Sequence, residues 1–155
     1  MDHDASQETN IPERQRWMGL LAQADPVDLQ ARWNELALSL AYDVLRPPES
    51  GLVMTRGRMG GTGDPFNLGE MTVTRCSVRT AAGFLGHAYI AGRNKSHAEL
   101  AAVCDALLQD PETSEGVSAA IVEPLAKIAK DNRRDRQAKA AATKVEFFTL
   151  VRGED

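Results

Sequence analysis

One short stretch of the sequence, RGRMGGTGDPFNLGE, combines glycines and arginines in a pattern that suits anion binding. Backbone amides of Gly60, Gly61 and Gly63 could form an anion-binding nest beside the guanidinium groups of Arg56 and Arg58. The stretch lacks the Gly-Lys-Ser/Thr of a Walker A loop, and the residues after it resemble a strand, whereas a Rossmann fingerprint enters a helix. A strand connection that needs left-handed backbone, or a contact surface for another protein, explains the same residues. All three interpretations stay open on the residues alone.

Other side chains with catalytic potential stand apart from one another in the sequence. His87 lies inside a strand-like run and His97 lies in the first turn of a predicted helix; a general-base role needs partners that only the fold supplies. Asp64 precedes Pro65 and is interpreted as a turn residue, and Glu99 is interpreted as part of a helix cap. We therefore predict no catalytic residue on this chain.

The two cysteines, Cys76 and Cys104, are far apart in the sequence. One falls in a strand-like run and the other on the apolar side of a predicted helix, so both are expected to be reduced and buried. Because no CxxC pair or Cys/His cluster is present, we predict no zinc or iron–sulfur site and no cofactor on this chain.

Composition indicates one globular domain. The chain has 155 residues, of which 43% are hydrophobic and only 5% aromatic, so the core is thin for an isolated monomer. The start of the sequence is polar and acidic, and no run of about 18 apolar residues follows. We predict a disordered acidic leader at residues 1–12, a single domain at 13–155, a cytoplasmic location and no membrane contact.

Charge is distributed unevenly along the chain. The net charge is −4, but residues 52–95 hold six basic and two acidic side chains, a local balance of +4 that leaves −8 on the rest. Such asymmetry favours an anionic ligand or a docking face. Nucleic acid is not an expected partner, because no basic stripe interleaved with aromatic residues is present.

Apolar spacing predicts helices before and after a central β region. Pro12 is placed as the first residue of a helix that ends near residue 24. A second helix is predicted from the apolar spacing of 29–40, with Pro47 and Pro48 ending that segment. A third helix, with an apolar stripe at residues 100–108, is expected to begin at a capping box formed by Ser96 and Glu99. Further helices are predicted from about residue 111 onward, with a kink or a new start at Pro124.

Between these helices the hydrophobic period changes to two. The runs LVMTRGRM, MTVTRCSVR and FLGHAYIA alternate, with Thr74, Cys76 and Val78 expected on one face of the second run. A short strand is possible at 42–46, and the terminal run KVEFFTLVRGED alternates as well. We therefore predict an α+β fold in which an antiparallel β-meander of about four to five strands packs with N-terminal and C-terminal helices.

Three separated blocks carry a resemblance to a known family. The segments ESGLVMTRGRMGGTGDPFNLGEMTVTRCSVR, GHAYIAGRNKSHAELAAVCDALLQ and ATKVEFFTLVRGED are similar to the PhnG family, the G subunit of the bacterial carbon–phosphorus lyase system. The opening RQRWMGLLAQADP extends the likeness to roughly residues 14 to 155.

The resemblance implies a cytoplasmic subunit that assembles with the H, I and J subunits. That complex joins a phosphonate to the ribose of ATP with loss of adenine, so ATP is a substrate of the complex and catalysis is expected on a partner. Contact with neighbouring subunits is then expected through the glycine stretch and the chain terminus, at Arg58, Asn67, Glu70, Phe147, Phe148, Leu150, Val151 and Arg152. The alternatives are a catalytic subunit with its own phosphate site at Arg56, Arg58 and the glycines, and a binding module unrelated to phosphonates.

Overall fold

A computed structural model describes residues 11–142 of the chain. Two N-terminal helices precede a β-sheet, and further helices follow it. In chain order these are α1 (Ile11–Gln23), α2 (Pro26–Leu36), β1 (Tyr42–Arg58), a 3₁₀ turn (Met59–Gly61), β2 (Pro65–Thr80), β3 (Leu85–Ala91), α3 (Lys95–Gln109), α4 (Ser114–Val117), a π-helical turn (Ser118–Val122) and α5 (Glu123–Ala142).

The sheet is an antiparallel meander with the order β1-β2-β3, which confirms the α+β class and the meander. The described residues contain three strands, not four to five. The short strand expected at 42–46 and the run LVMTRGRM form one strand, β1, across Pro47 and Pro48. The pairing register shifts between Arg46 and Glu49, and an edge strand tolerates proline because one side of its backbone needs no partner. The predicted terminal strand lies outside the described residues.

Helix α3 packs against one face of the sheet and forms the centre of the core. Thr74, Cys76 and Val78 of β2 are buried on that face, as the alternation predicted. Gly86 of β3 meets α3 so closely that a β-carbon there would overlap the carbonyl oxygen of Ala102. Helices α1 and α4 and the π-helical turn close the core with the side chains of Trp17, Leu21, Val117, Ile121 and Val122.

Two helix boundaries differ from the sequence prediction. Helix α2 ends at Leu36 because Ala37 adopts a left-handed conformation, so Leu40 lies beyond the helix. Helix α3 is capped by Asn94, whose side chain accepts from the His97 amide at 3.0 Å, and the predicted Ser96–Glu99 capping box does not form. Both Asn and Ser are favoured as N-cap residues, and the predicted cap at Ser96 lies two residues after the observed one.

The remaining helical predictions are supported. Helix α1 matches the expected span closely, and α5 begins at Glu123 with Pro124 in its first turn. The π-helical turn directly precedes this proline, which has no amide proton to donate to the preceding turn.

Candidate functional site: the distal β1–β2 ribbon

Strands β1 and β2 extend well beyond β3. β3 pairs with β2 only between Val73 and Arg79, whereas β1 and β2 stay paired as far as Arg58 and Pro65. We call residues 52–72 the distal ribbon; its two strands have only each other as sheet partners within the described part of the chain. An isolated two-stranded ribbon is marginally stable in water, so its conformation depends on further contacts.

Large apolar side chains are exposed along the distal ribbon. Their exposed fractions are 62% for Leu52, 52% for Met54, 77% for Met59, 41% for Phe66, 67% for Leu68 and 43% for Met71. Single exposed apolar residues are ordinary on a protein surface, but six of them concentrated on one short ribbon are typical of an interaction site. The sequence prediction missed this group, although LVMTRGRM shows apolar residues on both alternating faces.

The glycine stretch forms the tip of the ribbon, so it is a connection between strands. Gly60 and Gly61 have φ angles of 60° and 81°, which favour glycine. The Gly63 amide donates to the carbonyl oxygen of Met59 at 2.9 Å, and Arg58 Nη1 donates to the carbonyl oxygen of Gly63 at 3.0 Å. One glycine amide and one arginine therefore serve the turn itself.

The structure brings the predicted phosphate-binding residues together at this tip. The side chain of Arg56 is exposed and has no hydrogen-bond or ion-pair partner among residues 11–142. Asn67 is opposite Arg56 in the register, and Glu70 is opposite Met54. Both are exposed, as is Arg58. The other predicted contact residues, Phe147, Phe148, Leu150, Val151 and Arg152, lie outside the described residues.

A buried carboxylate joins three elements near the other end of the sheet. Asp105 of α3 is fully buried and accepts from Arg14 Nη2 at 2.8 Å, from Trp17 Nε1 at 2.9 Å and from the His87 amide at 2.9 Å. Arg14 Nε adds a further contact at 3.2 Å. This cluster fixes α1 against β3 and α3. No local sequence pattern marks this cluster, because Asp105 is 91 residues from Arg14, 88 from Trp17 and 18 from His87.

The remaining candidate groups have structural roles. His97 is buried, and its Nε2 lies 2.8 Å from the Leu21 carbonyl oxygen. Cys76 and Cys104 are free and buried, as predicted, and burial raises the pKa of the Cys104 thiol to about 12. Glu99, expected in a cap, accepts instead from the Tyr42 hydroxyl at 2.9 Å.

Tyr42 also has a perturbed acidity. Burial, followed by the hydrogen bond to Glu99, raises the pKa of its phenol to about 12. The contact links the start of β1 to α3, so it supports the base of the ribbon.

Metal-binding clusters and membrane-spanning helices are both absent from residues 11–142. No group of three or more His, Cys, Asp or Glu side chains there is arranged to hold a metal ion. No helix in the same range combines the length and apolar character needed to cross a bilayer.

Comparison with known proteins assigns the chain to a family. The family described as phosphonate metabolism protein PhnG matches residues 12–153, and the chain belongs to this family. This confirms the resemblance seen in the sequence.

A curated relative from Rhizobium meliloti (strain 1021) carries a more specific name. It is alpha-D-ribose 1-methylphosphonate 5-triphosphate synthase subunit PhnG, which is 42% identical over 150 residues. The alignment covers 97% of this chain and 96% of the relative.

Proposed function

We propose that this chain is an accessory subunit of a synthase complex in phosphonate catabolism, and that the distal ribbon is its main docking element. The relative's name describes a subunit of such a synthase. The observation that carries the proposal is the group of six exposed large apolar side chains on a two-stranded ribbon that extends beyond the core. The complex would transfer a phosphonate to the ribose of ATP with release of adenine.

Burial of the ribbon would contribute substantial association energy. Full burial of one large apolar side chain contributes about 1.5–3 kcal/mol, so covering the apolar group of the ribbon contributes on the order of 10 kcal/mol before the entropic cost of association. Within residues 11–142 the outer edges of β1 and β2 in the ribbon have no strand partner, so they also offer backbone hydrogen-bonding groups to a neighbouring subunit. Both features favour a permanent contact within a hetero-oligomer.

The proposed partners are the H, I and J subunits of the carbon–phosphorus lyase system, in the cytoplasm. Catalysis would reside on a partner, with ATP as a substrate of the complex and no cofactor on this chain. Arg58, Asn67 and Glu70 lie on the ribbon and would give the apolar contact its polar rim, which is the usual arrangement at protein interfaces.

The test compares one ribbon variant with a matched control outside the ribbon. Leu68 and Val27 are similarly exposed, at 67% and 75%, but Val27 lies on α2. Each is changed to glutamate, and each variant is co-expressed with the H, I and J subunits. Recovered complex is quantified by size-exclusion chromatography with light scattering.

Leu68→Glu should reduce the yield of complex about tenfold or more, because a charge in the centre of an apolar contact must be desolvated. The melting temperature of the isolated chain should hardly change, since the side chain is exposed. Val27→Glu should leave the yield unchanged. Equal yields for both variants would refute the ribbon as the docking element.

A charge reversal at the tip separates assembly from ligand binding. Arg58→Glu removes the bond to the Gly63 carbonyl and places a negative charge at the tip, so it should weaken assembly more than folding. Unchanged complex yield together with lost triphosphate affinity would instead favour a phosphate site on the glycine turn.

A further inference from the structure

The sheet face opposite α3 carries a group of charged and polar side chains. In β3 every second residue is exposed, and these residues share this open face with the alternate residues of β2. We define the open-face cluster as Asp43, Arg46, Glu49, Arg75, Ser77, Arg79, His87 and Tyr89. Facing residues of neighbouring strands lie about 5 Å apart and successive rows about 7 Å apart, so long side chains from three rows can reach one ligand.

A serine–histidine pair lies at the centre of the cluster. Ser77 and His87 face each other across β2 and β3, and Ser77 Oγ lies 2.9 Å from His87 Nδ1. The ring nitrogen Nε2 of His87 has no hydrogen-bond partner in the described part of the chain. The backbone of His87 is held by the buried carboxylate of Asp105 at 2.9 Å. An exposed imidazole on a fixed backbone is thus available to a ligand.

Guanidinium groups flank this pair. Arg75 Nε donates to Glu49 at 2.8 Å, and Arg46 Nη1 lies 3.5 Å from the same carboxylate oxygen. In the neighbouring row, Arg79 is paired with Asp43 at 3.2 Å. All these side chains are about half exposed or more, so each keeps access to solvent.

The arginines exceed the carboxylates in this cluster. Three guanidinium groups face two carboxylates, so one positive charge is not neutralised. Arg75 and Arg79 also belong to the basic segment 52–95 found in the sequence. Tyr89 lies directly opposite Arg75 in the register of β2 and β3.

We propose that the open-face cluster binds a phosphate- or phosphonate-bearing anion, with His87 and Ser77 at its centre and Arg46 and Arg75 on its flank. Guanidinium, hydroxyl and imidazole groups together supply the charge-assisted donors that bind phosphate oxygens. The two carboxylates orient the arginines while the site is empty. The choice of a polyphosphate as the anion rests on the proposed function; the existence of the site does not.

The cluster suits an anion better than the glycine turn does. At the turn, the Gly63 amide and the Arg58 guanidinium already bind oxygen atoms of the turn itself. In the cluster, His87 Nε2 has no hydrogen-bond partner within residues 11–142. In the same residues the guanidinium group of Arg46 has only the longer contact of 3.5 Å with Glu49.

Titration of the full-length chain with inorganic tripolyphosphate at low ionic strength tests the site. Affinity is measured by calorimetry, and the backbone amides that shift are mapped by NMR. His87→Gln and Arg46→Gln should each weaken binding about fivefold, because each removes one exposed charge-assisted donor. Arg56→Gln, which removes an exposed arginine from the ribbon, is the matched control and should leave affinity unchanged.

The proposal is overturned if the wild-type chain shows no binding at millimolar tripolyphosphate. It is also overturned if Arg56→Gln weakens binding as much as His87→Gln and Arg46→Gln, since the anion would then bind elsewhere or respond only to net charge. Circular dichroism checks that all variants are folded, and Ser77→Ala serves as a second central variant. Because the isolated chain is titrated, a negative result leaves the assembly test of Leu68→Glu unaffected.

Discussion

Replacing Asp105 with asparagine should destabilise the whole domain although the two side chains have nearly the same shape. Oδ1 accepts from Arg14 Nε and Trp17 Nε1, and Oδ2 accepts from Arg14 Nη2 and the His87 amide. An asparagine NH₂ group must therefore face two donors in either orientation. The substitution also removes the partner of Arg14, whose side chain is 27% exposed.

The loss of stability expected for Asp105→Asn can be estimated from these contacts. A buried donor left without an acceptor costs about 1–3 kcal/mol, and breaking a buried ion pair costs about 3–5 kcal/mol. Partial exposure lets Arg14 recover some hydration, so Asp105→Asn should cost about 3 kcal/mol. That is a large part of the total stability of about 5–15 kcal/mol typical of a domain.

Urea unfolding of the full-length chain, followed by circular dichroism, measures this cost. Glu49→Gln is the matched control, because it removes a carboxylate that pairs with Arg75 at 2.8 Å but is 50% exposed. Its cost should be below about 1 kcal/mol. A free energy of unfolding for Asp105→Asn within about 0.5 kcal/mol of the wild-type value would refute the argument, since it would mean that the four contacts contribute nothing net.

Three further predictions concern packing and titration. Gly86→Ala should lower the free energy of unfolding by more than about 3 kcal/mol, because the new methyl group overlaps the Ala102 carbonyl oxygen. Gly51→Ala is the control: nothing lies within 4 Å of a β-carbon there, so it should change the free energy of unfolding by less than about 1 kcal/mol. Equal melting temperatures for the two variants would contradict this. Cys104, whose pKa burial raises to about 12, should react with a thiol reagent only when the chain unfolds, and rapid labelling of the folded chain would contradict its burial. Tyr42 has its pKa raised from 10.0 to about 12, so its phenol stays neutral in the folded chain and its contribution to stability should be lost as pH rises through that interval. Ultraviolet titration of the wild-type chain should show a late tyrosine component that Tyr42→Phe lacks, and identical titration curves for the two chains would contradict this assignment.

Features set by local periodicity could be predicted from the sequence. The two-residue period of β2 identified its buried face, and the apolar stripe of residues 100–108 identified α3. The meander followed from short connections between alternating runs. The family resemblance was also visible in the sequence and is confirmed.

Features set by tertiary contacts could not be predicted. Pro47 and Pro48 suggest a break, but β1 continues through them because it is an edge strand with an irregular register there. Asp105 has no periodic or motif signal that distinguishes it from a surface carboxylate. Its burial depends on donors supplied by α1 and β3.

The candidate site also combines features that the sequence predicts with features that only the fold defines. The glycine tip was recognised because glycine and arginine form a local pattern. The apolar surface of the ribbon depends on where β3 ends relative to β1 and β2, which only the fold defines. The pairing of Ser77 with His87 likewise depends on the register between two strands.

Hydrogen–deuterium exchange on this chain, alone and after co-expression with the proposed H, I and J partners, tests the docking role of the distal ribbon most directly. The account predicts that amides of residues 52–58 and 65–72 exchange rapidly in the isolated chain and become strongly protected in the complex. Amides of α3, already buried in the core, should change little. Unchanged exchange along the ribbon, with protection appearing on other surfaces of the chain, would contradict the account.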